Sequence, residues 1–284
     1  MDEKRLDAFR LCMILISVFL VSTFLIPSIA DSITTEHPDY PGENGTSKAY
    51  KWSYNAKGAV SCGISPNNTV TLEFSPSEYD RAQRCSHLLN ALYYSPSSET
   101  MKYLANNILD IESSLISDLA DTFSERTASM SDLDRAGCVL AFVQSIPYVS
   151  DFASTGKLDY WKSAYETLYC GGDCEDLSIL YAKIMQKLGY DVILVHAWNP
   201  DSESAHVCAA VNIPEAEGFY FEYNDVCYYY CETVAGTHLA NPWGRIGNAA
   251  GWNYTDYEII DISPDSPYKE HILDHLDYDM IFKD

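Results

Sequence analysis

Cys174 stands in Gly171-Gly172-Asp173-Cys174-Glu175-Asp176, and this is where the chain has residue types that can do chemistry. Two successive glycines are poor helix, Asp173 is a good N-cap, and Leu177, Leu180, Tyr181, Ile184 and Leu188 recur at the spacing of a helix with one buried stripe. Gly189 is placed to end it. Cys174 therefore falls in a first helical turn, facing unpaired backbone N–H groups and the positive end of the helix dipole, which favour the thiolate. Asp173, Glu175 and Asp176 push the other way. To act as a nucleophile at neutral pH, this thiol needs a cationic partner.

The segments downstream supply one. Asp191 to Val195 is a β-branched run and reads as a buried strand. A second strand opens at His206 and runs to Ile213, a third covers Gly218 to Tyr223, and a fourth covers Val226 to Tyr230, ending in Cys231-Glu232-Thr233. With a period of two, His206 shares a face with Cys208 and Ala210, small residues that would let a helix pack closely. A Cys at a helix start, a His opening a strand and a carboxylate closing another make a constellation in which a thiol can act as a nucleophile. His206 takes the thiol proton, and Glu232 orients the imidazole and stabilises its charged form. The Cys174 N–H is the natural first oxyanion donor, and Gln144, near the end of a helix expected over 132–145, is the candidate for a second. This chemistry calls for no metal and no cofactor.

In these residues the chain resembles the transglutaminase-like superfamily, the papain-like fold that includes bacterial transglutaminase-like cysteine proteinases. The resemblance runs from about Phe142 to Thr233. Gly172-Asp173-Cys174-Glu175-Asp176 carries it, with the helix that follows, Leu188-Gly189-Tyr190 and a hydrophobic strand. His206 opens the strand where the family keeps its base. Glu232-Thr233 stands where the family usually has Asp, one residue and Thr, so the Glu is a departure. The resemblance implies an α+β fold with the nucleophile-bearing helix packed on an antiparallel sheet, and a thiol enzyme acting on amide bonds of a polypeptide substrate. His196-Ala197-Trp198 copies a tripeptide common at the family's catalytic His, but it lies one strand too early, so His206 is preferred. The acceptor is water or an amine, and water has the edge because it is always present. The competing class is a binding or surface-structural module that keeps the fold without turnover.

A metal site is the rival chemistry, because Cys170, Cys174, His206, Cys208, Cys227 and Cys231 are close in sequence. Along a strand, Cys227 and Cys231 would stand about 13 Å apart and could not share one ion. Apart from Cys174, the cysteines from Cys62 onward (Cys62, Cys85, Cys138, Cys170, Cys208, Cys227 and Cys231) read as disulfides or buried thiols, with the pairing open.

The organisation around this core follows from composition. The chain has 284 residues, 47% of them hydrophobic, which is globular composition. Its 18 Lys+Arg against 41 Asp+Glu give a net charge of −23, which argues against nucleic acid as a partner. Residues 1–30 pair Lys4, Arg5 and Arg10 with an apolar stretch from Leu11 to Ile26 and then Ser28-Ile29-Ala30. That is a signal peptide, or a membrane anchor formed by residues 5–30. Either reading puts the rest of the chain outside the cytoplasm, secreted or held at the cell surface. Asn44 and Asn67 both satisfy the glycan acceptor pattern. The expected order is a linker over 31–49, strands and helices over 50–130, the catalytic core over 131–262 and an acidic tail over 263–284. The carboxylate-rich residues 256–284 are expected as a solvated surface.

Overall fold

The structure is a computed structural model, and it describes residues 41, 45–54, 67–93, 97–202, 204–234, 244–250 and 252–270. The apolar N-terminal segment, Asn44, Cys62 and residues 271–284 lie outside the described residues. Among those described, no helix is long and apolar enough to cross a membrane.

The first elements are strands β1 (Thr46–Trp52) and β2 (Asn68–Phe74), an antiparallel pair. In β2 every second side chain (Val70, Leu72, Phe74) is buried, as a strand with one wet face requires. β1 begins at Thr46, within the stretch read as linker. Six helices follow: α1 (Pro76–Leu92), α2 (Ser98–Leu109), α3 (Ser114–Arg126), α4 (Asp132–Val143), the short α5 (Asp151–Thr155) and α6 (Ala164–Cys170). Serines set several of these starts. Ser97, Ser113, Ser131 and Ser163 each accept a backbone N–H from the first turn of the helix they precede.

Helix α7 (Cys174–Lys187) comes next, then strands β3 (Val192–Asn199), β4 (Ser204–Val211), β5 (Tyr220–Tyr223), β6 (Val226–Cys231) and β7 (Asp256–Asp261). These five strands form one sheet in the order β5-β6-β4-β3-β7, with every neighbouring pair antiparallel. The fold is α+β, with the helix that begins at Cys174 packed on an antiparallel sheet.

Three expectations are corrected. Helix α7 has no single buried stripe. It is buried from Glu175 through Met185, because the sheet covers one side while α3, α4 and α6 cover the other. The acidic stretch from Asp256 is not all solvated surface: β7 pairs with β3 and buries Ile260, with Ile262 buried just beyond it. Finally, Cys208 and Ala210 do not receive the helix. The large core around α7 takes Val207, Ala209 and Val211, whereas Cys208 and Ala210 pack in a second core with Phe221, Tyr228 and Tyr230. The alternation was right, but the helix sits on the opposite face.

Candidate active site

Cys174 is the first residue of α7, as its neighbours dictate. Gly171 has φ +80°, and a side chain there would meet the Pro147 carbonyl oxygen at 2.6 Å. A Cβ on Gly172 would stand 2.4 Å from the Asp176 Cβ, so the second glycine lets the turn lie flat on the helix it starts. Asp173 caps α7 through a reciprocal box, in which the Asp176 carboxylate also accepts from the Asp173 N–H at 3.3 Å. A bridge from Tyr148 to Gly172 fixes the other side, with Val149 N–H bonded to the Gly172 carbonyl at 3.0 Å.

The thiol sits in opposing fields. Burial, then the adjacent Glu175 carboxylate, push it well above its ordinary range, with Asp173 adding to the effect; the Val207 backbone N–H works against them. In the resting geometry the sulfur donates to Glu175 Oε2 at 3.1 Å. Burial also drives Glu175 upward, reinforced by Asp176, Asp173 and Asp151.

Val207 brings β4 to this helix. β6 pairs with β4 only from Ala209 to Val211, so the half of β4 before Ala209 is not paired with β6. The Val207 carbonyl accepts from Ser178 Oγ at 3.1 Å, and the same hydroxyl shares a 2.9 Å bond with Thr233 Oγ1. Ser178, one turn after Cys174, thus touches both the strand that carries His206 and the turn that carries Glu232.

His206 pairs in register with Ala197 and is buried. Its Nε2 lies 3.3 Å from Glu232 Oε1, at ion-pair distance but off a good hydrogen-bonding line. The Tyr254 ring lies parallel to the imidazole, with planes 11° apart and centroids 5.6 Å apart. Burial raises the Tyr254 phenol, and the Glu232 carboxylate raises it further. Glu232 is itself tightly held. Tyr230 Oη donates to Oε2 at 2.6 Å and the Val234 N–H donates to Oε1 at 3.0 Å. Burial would raise its carboxyl, but His206 and these two donors bring it below its ordinary value.

Gln144 caps the end of α4 and is buried. Its Nε2 donates to the Glu232 carbonyl at 2.7 Å and its Oε1 accepts from the Gly244 N–H at 2.7 Å, so the amide fastens the Glu232 segment. His196, in the middle of β3, is engaged elsewhere: its Nδ1 is 3.6 Å from Glu258 Oε1, and its ring stacks on Trp198. Asn67 is exposed, with its amide nitrogen on the Tyr54 carbonyl.

Two groups of three carboxylates lie close enough to share a cation, Asp151 with Asp159 and Glu175, and Asp151 with Asp173 and Asp176. No cysteine belongs to either, and among the described residues Cys138, Cys208 and Cys231 are buried free thiols. A cation is already present in the second group: the Lys162 ammonium donates to Asp151 Oδ1 and Asp176 Oδ2, both at 2.6 Å. Burial disfavours that charge, but Asp176 and Asp151 outweigh it and hold the ammonium above its ordinary range. Sequence reading missed Lys162, Asp151 and Tyr254, which carry no motif. Ser178 was findable, since i+4 from Cys174 is the neighbouring position on the same helix face.

No protein-family model matches the chain, and no curated protein matches it in sequence. Among solved structures it is similar to calcium-bound LapG of Legionella pneumophila, at 17% identity and a TM-score of 0.32, over 58% of this chain and 77% of that one. The EGTA-treated form of LapG matches over 58% and 75% at the same identity and TM-score. A candidate cysteine protease of Cytophaga hutchinsonii matches at 12% identity and a TM-score of 0.32, over 51% and 50% of the two chains.

Proposed function

We propose that the chain is a cysteine peptidase of transglutaminase-like type, exported or anchored at the cell surface, that cleaves amide bonds in polypeptides. Cys174 attacks the carbonyl carbon while His206 takes the thiol proton. His206 then gives that proton to the leaving amine, and a thioester to Cys174 remains. Water, activated by His206, hydrolyses the thioester; an amine in its place would give cross-linking. Glu232 orients His206 and balances the imidazolium. The Cys174 N–H faces the developing oxyanion, and the second N–H of the Gln144 amide is the candidate for its other donor.

The observation that supports this reading is the His206–Glu232 pair at 3.3 Å, one residue along β4 from the Val207 N–H that favours the Cys174 anion. The alternative is an inert binding or surface-structural module. What favours it is the resting thiol, held neutral by burial and bonded to Glu175. Turnover therefore requires the sulfur to give up Glu175 for His206 as substrate binds.

A thiol-directed electrophile on the full chain separates the two readings. For the enzyme, Cys174 labels ahead of every other cysteine near pH 7, and His206→Ala slows it by about 100-fold or more. His196→Ala leaves the rate within about twofold. Slow labelling shared among several cysteines, indifferent to His206, would establish the inert module.

A further inference from the structure

Lys162, Asp151 and Asp176 form a buried trio with side chains 2%, 3% and 0% exposed. The carboxylates it joins lie on either side of the turn that delivers Cys174. Asp176 is in the first turn of α7 and closes the capping box on Asp173. Asp151 opens α5, two residues beyond Val149, whose N–H holds the Gly172 carbonyl. Lys162 reaches both through Nζ, and its own backbone N–H makes a third bond, to Asp176 Oδ1 at 2.7 Å. The Tyr160 N–H holds the remaining Asp151 oxygen at 2.6 Å.

A buried ion pair is weak as a source of net stability, because desolvation offsets most of the attraction; its better attested use is to fix one arrangement. Here the arrangement fixed is the Gly171–Asp173 turn, gripped by residues 147–149 on one side and by Asp176 on the other. We propose that Lys162 is a positioning residue for Cys174: it ties the two grips together and holds the thiol at the mouth of α7. This rests on Cys174 being the nucleophile of the proposed reaction. The lysine touches neither substrate nor sulfur, and acts through Asp176 and the cap.

Hydrogen exchange on the full chain, read by mass spectrometry, tests the role without needing catalysis. In Lys162→Met the amides of residues 173–177 are expected to exchange at least tenfold faster than in wild type, while those of α3 keep their protection. The double variant Asp151→Asn/Lys162→Met removes one charge of each sign. It should regain the melting temperature but keep the fast cap. Equal acceleration in the cap and α3, an unchanged cap, or a cap restored in step with melting each overturns the proposal. Should Lys162→Met fail to fold, the double variant decides; should both fail, Asp176→Asn is read by the same criteria. Iodoacetamide labelling of Cys174 on the same samples should slow at least tenfold with the loosened cap. If wild-type Cys174 labels no faster than Cys227, the proposed function falls, while the exchange result still decides the role of Lys162.

Discussion

The hydroxyls of Ser178 and Thr233 meet at 2.9 Å in the interior, and both residues are fully buried. Through that contact and the Val207 carbonyl, a single serine holds together the helix of Cys174, the strand of His206 and the turn of Glu232. Ser178→Ala should cost about 1–3 kcal/mol, since it leaves buried polar partners unpaired. A urea melt gives that figure. The labelling rate of Cys174 should fall further than the melt accounts for, because three segments lose their common register.

Glu232→Gln tests the carboxylate. The folded value of Glu232 is depressed, so its contribution to stability is present above the unfolded value of about 4.3 and is lost as pH falls through the folded value. The variant should therefore melt lower than wild type at pH 7, by about 1.5–3 kcal/mol for bonds to a charged group. The gap should narrow as pH falls below the unfolded value and close only below the folded one, where the wild-type carboxyl is itself protonated. A gap that persists unchanged in acid would mean that shape, not charge, is what matters at 232.

Glu175→Gln removes the carboxylate that accepts the Cys174 proton and raises the thiol. The pH profile of labelling should move to lower pH, with a several-fold faster rate at pH 7. Asp173 still opposes the anion and the Val207 N–H still favours it, so the direction reports Glu175. No shift would show that the Glu175 carboxylate is not what raises the thiol.

Gly172→Ala places a methyl 2.4 Å from the Asp176 Cβ and 2.7 Å from its Oδ2. The cap must open to admit it. We expect a loss of about 1–3 kcal/mol, as for an overpacked core, and a slower Cys174 in a protein that still folds. Gly189→Ala, where no atom lies within 4 Å but φ is +87°, should cost stability and leave Cys174 alone.

The start of α7 was legible because its signals are local: two glycines, an N-cap and a periodic run. The strands behind it were legible for the same reason, although β3 continues through His196-Ala197-Trp198 to Asn199, beyond where its β-branched residues stop. What could not be read was anything set by packing between distant segments. Asp256–Asp261 looks like solvated acid until β3 offers it an edge. Which face of β4 receives the helix depends on a parity that sequence alternation leaves undetermined. Lys162 resembles any lysine until folding places two carboxylates around it. Gln144, chosen as an oxyanion donor, shows its other use only once the Glu232 carbonyl and the Gly244 N–H arrive at its amide.

The Val207 donor belongs to the main chain, and that changes how the site responds to mutation. Every residue except proline presents the same N–H at 207, so replacing the valine alters packing but leaves the pull on the sulfur in place. A saturation scan would therefore score 207 as a tolerant core position with one sharp exception, and the electrostatics it supplies to Cys174 would go unrecorded. Part of what tunes this thiol is written in backbone geometry, where side-chain variation has no purchase on it.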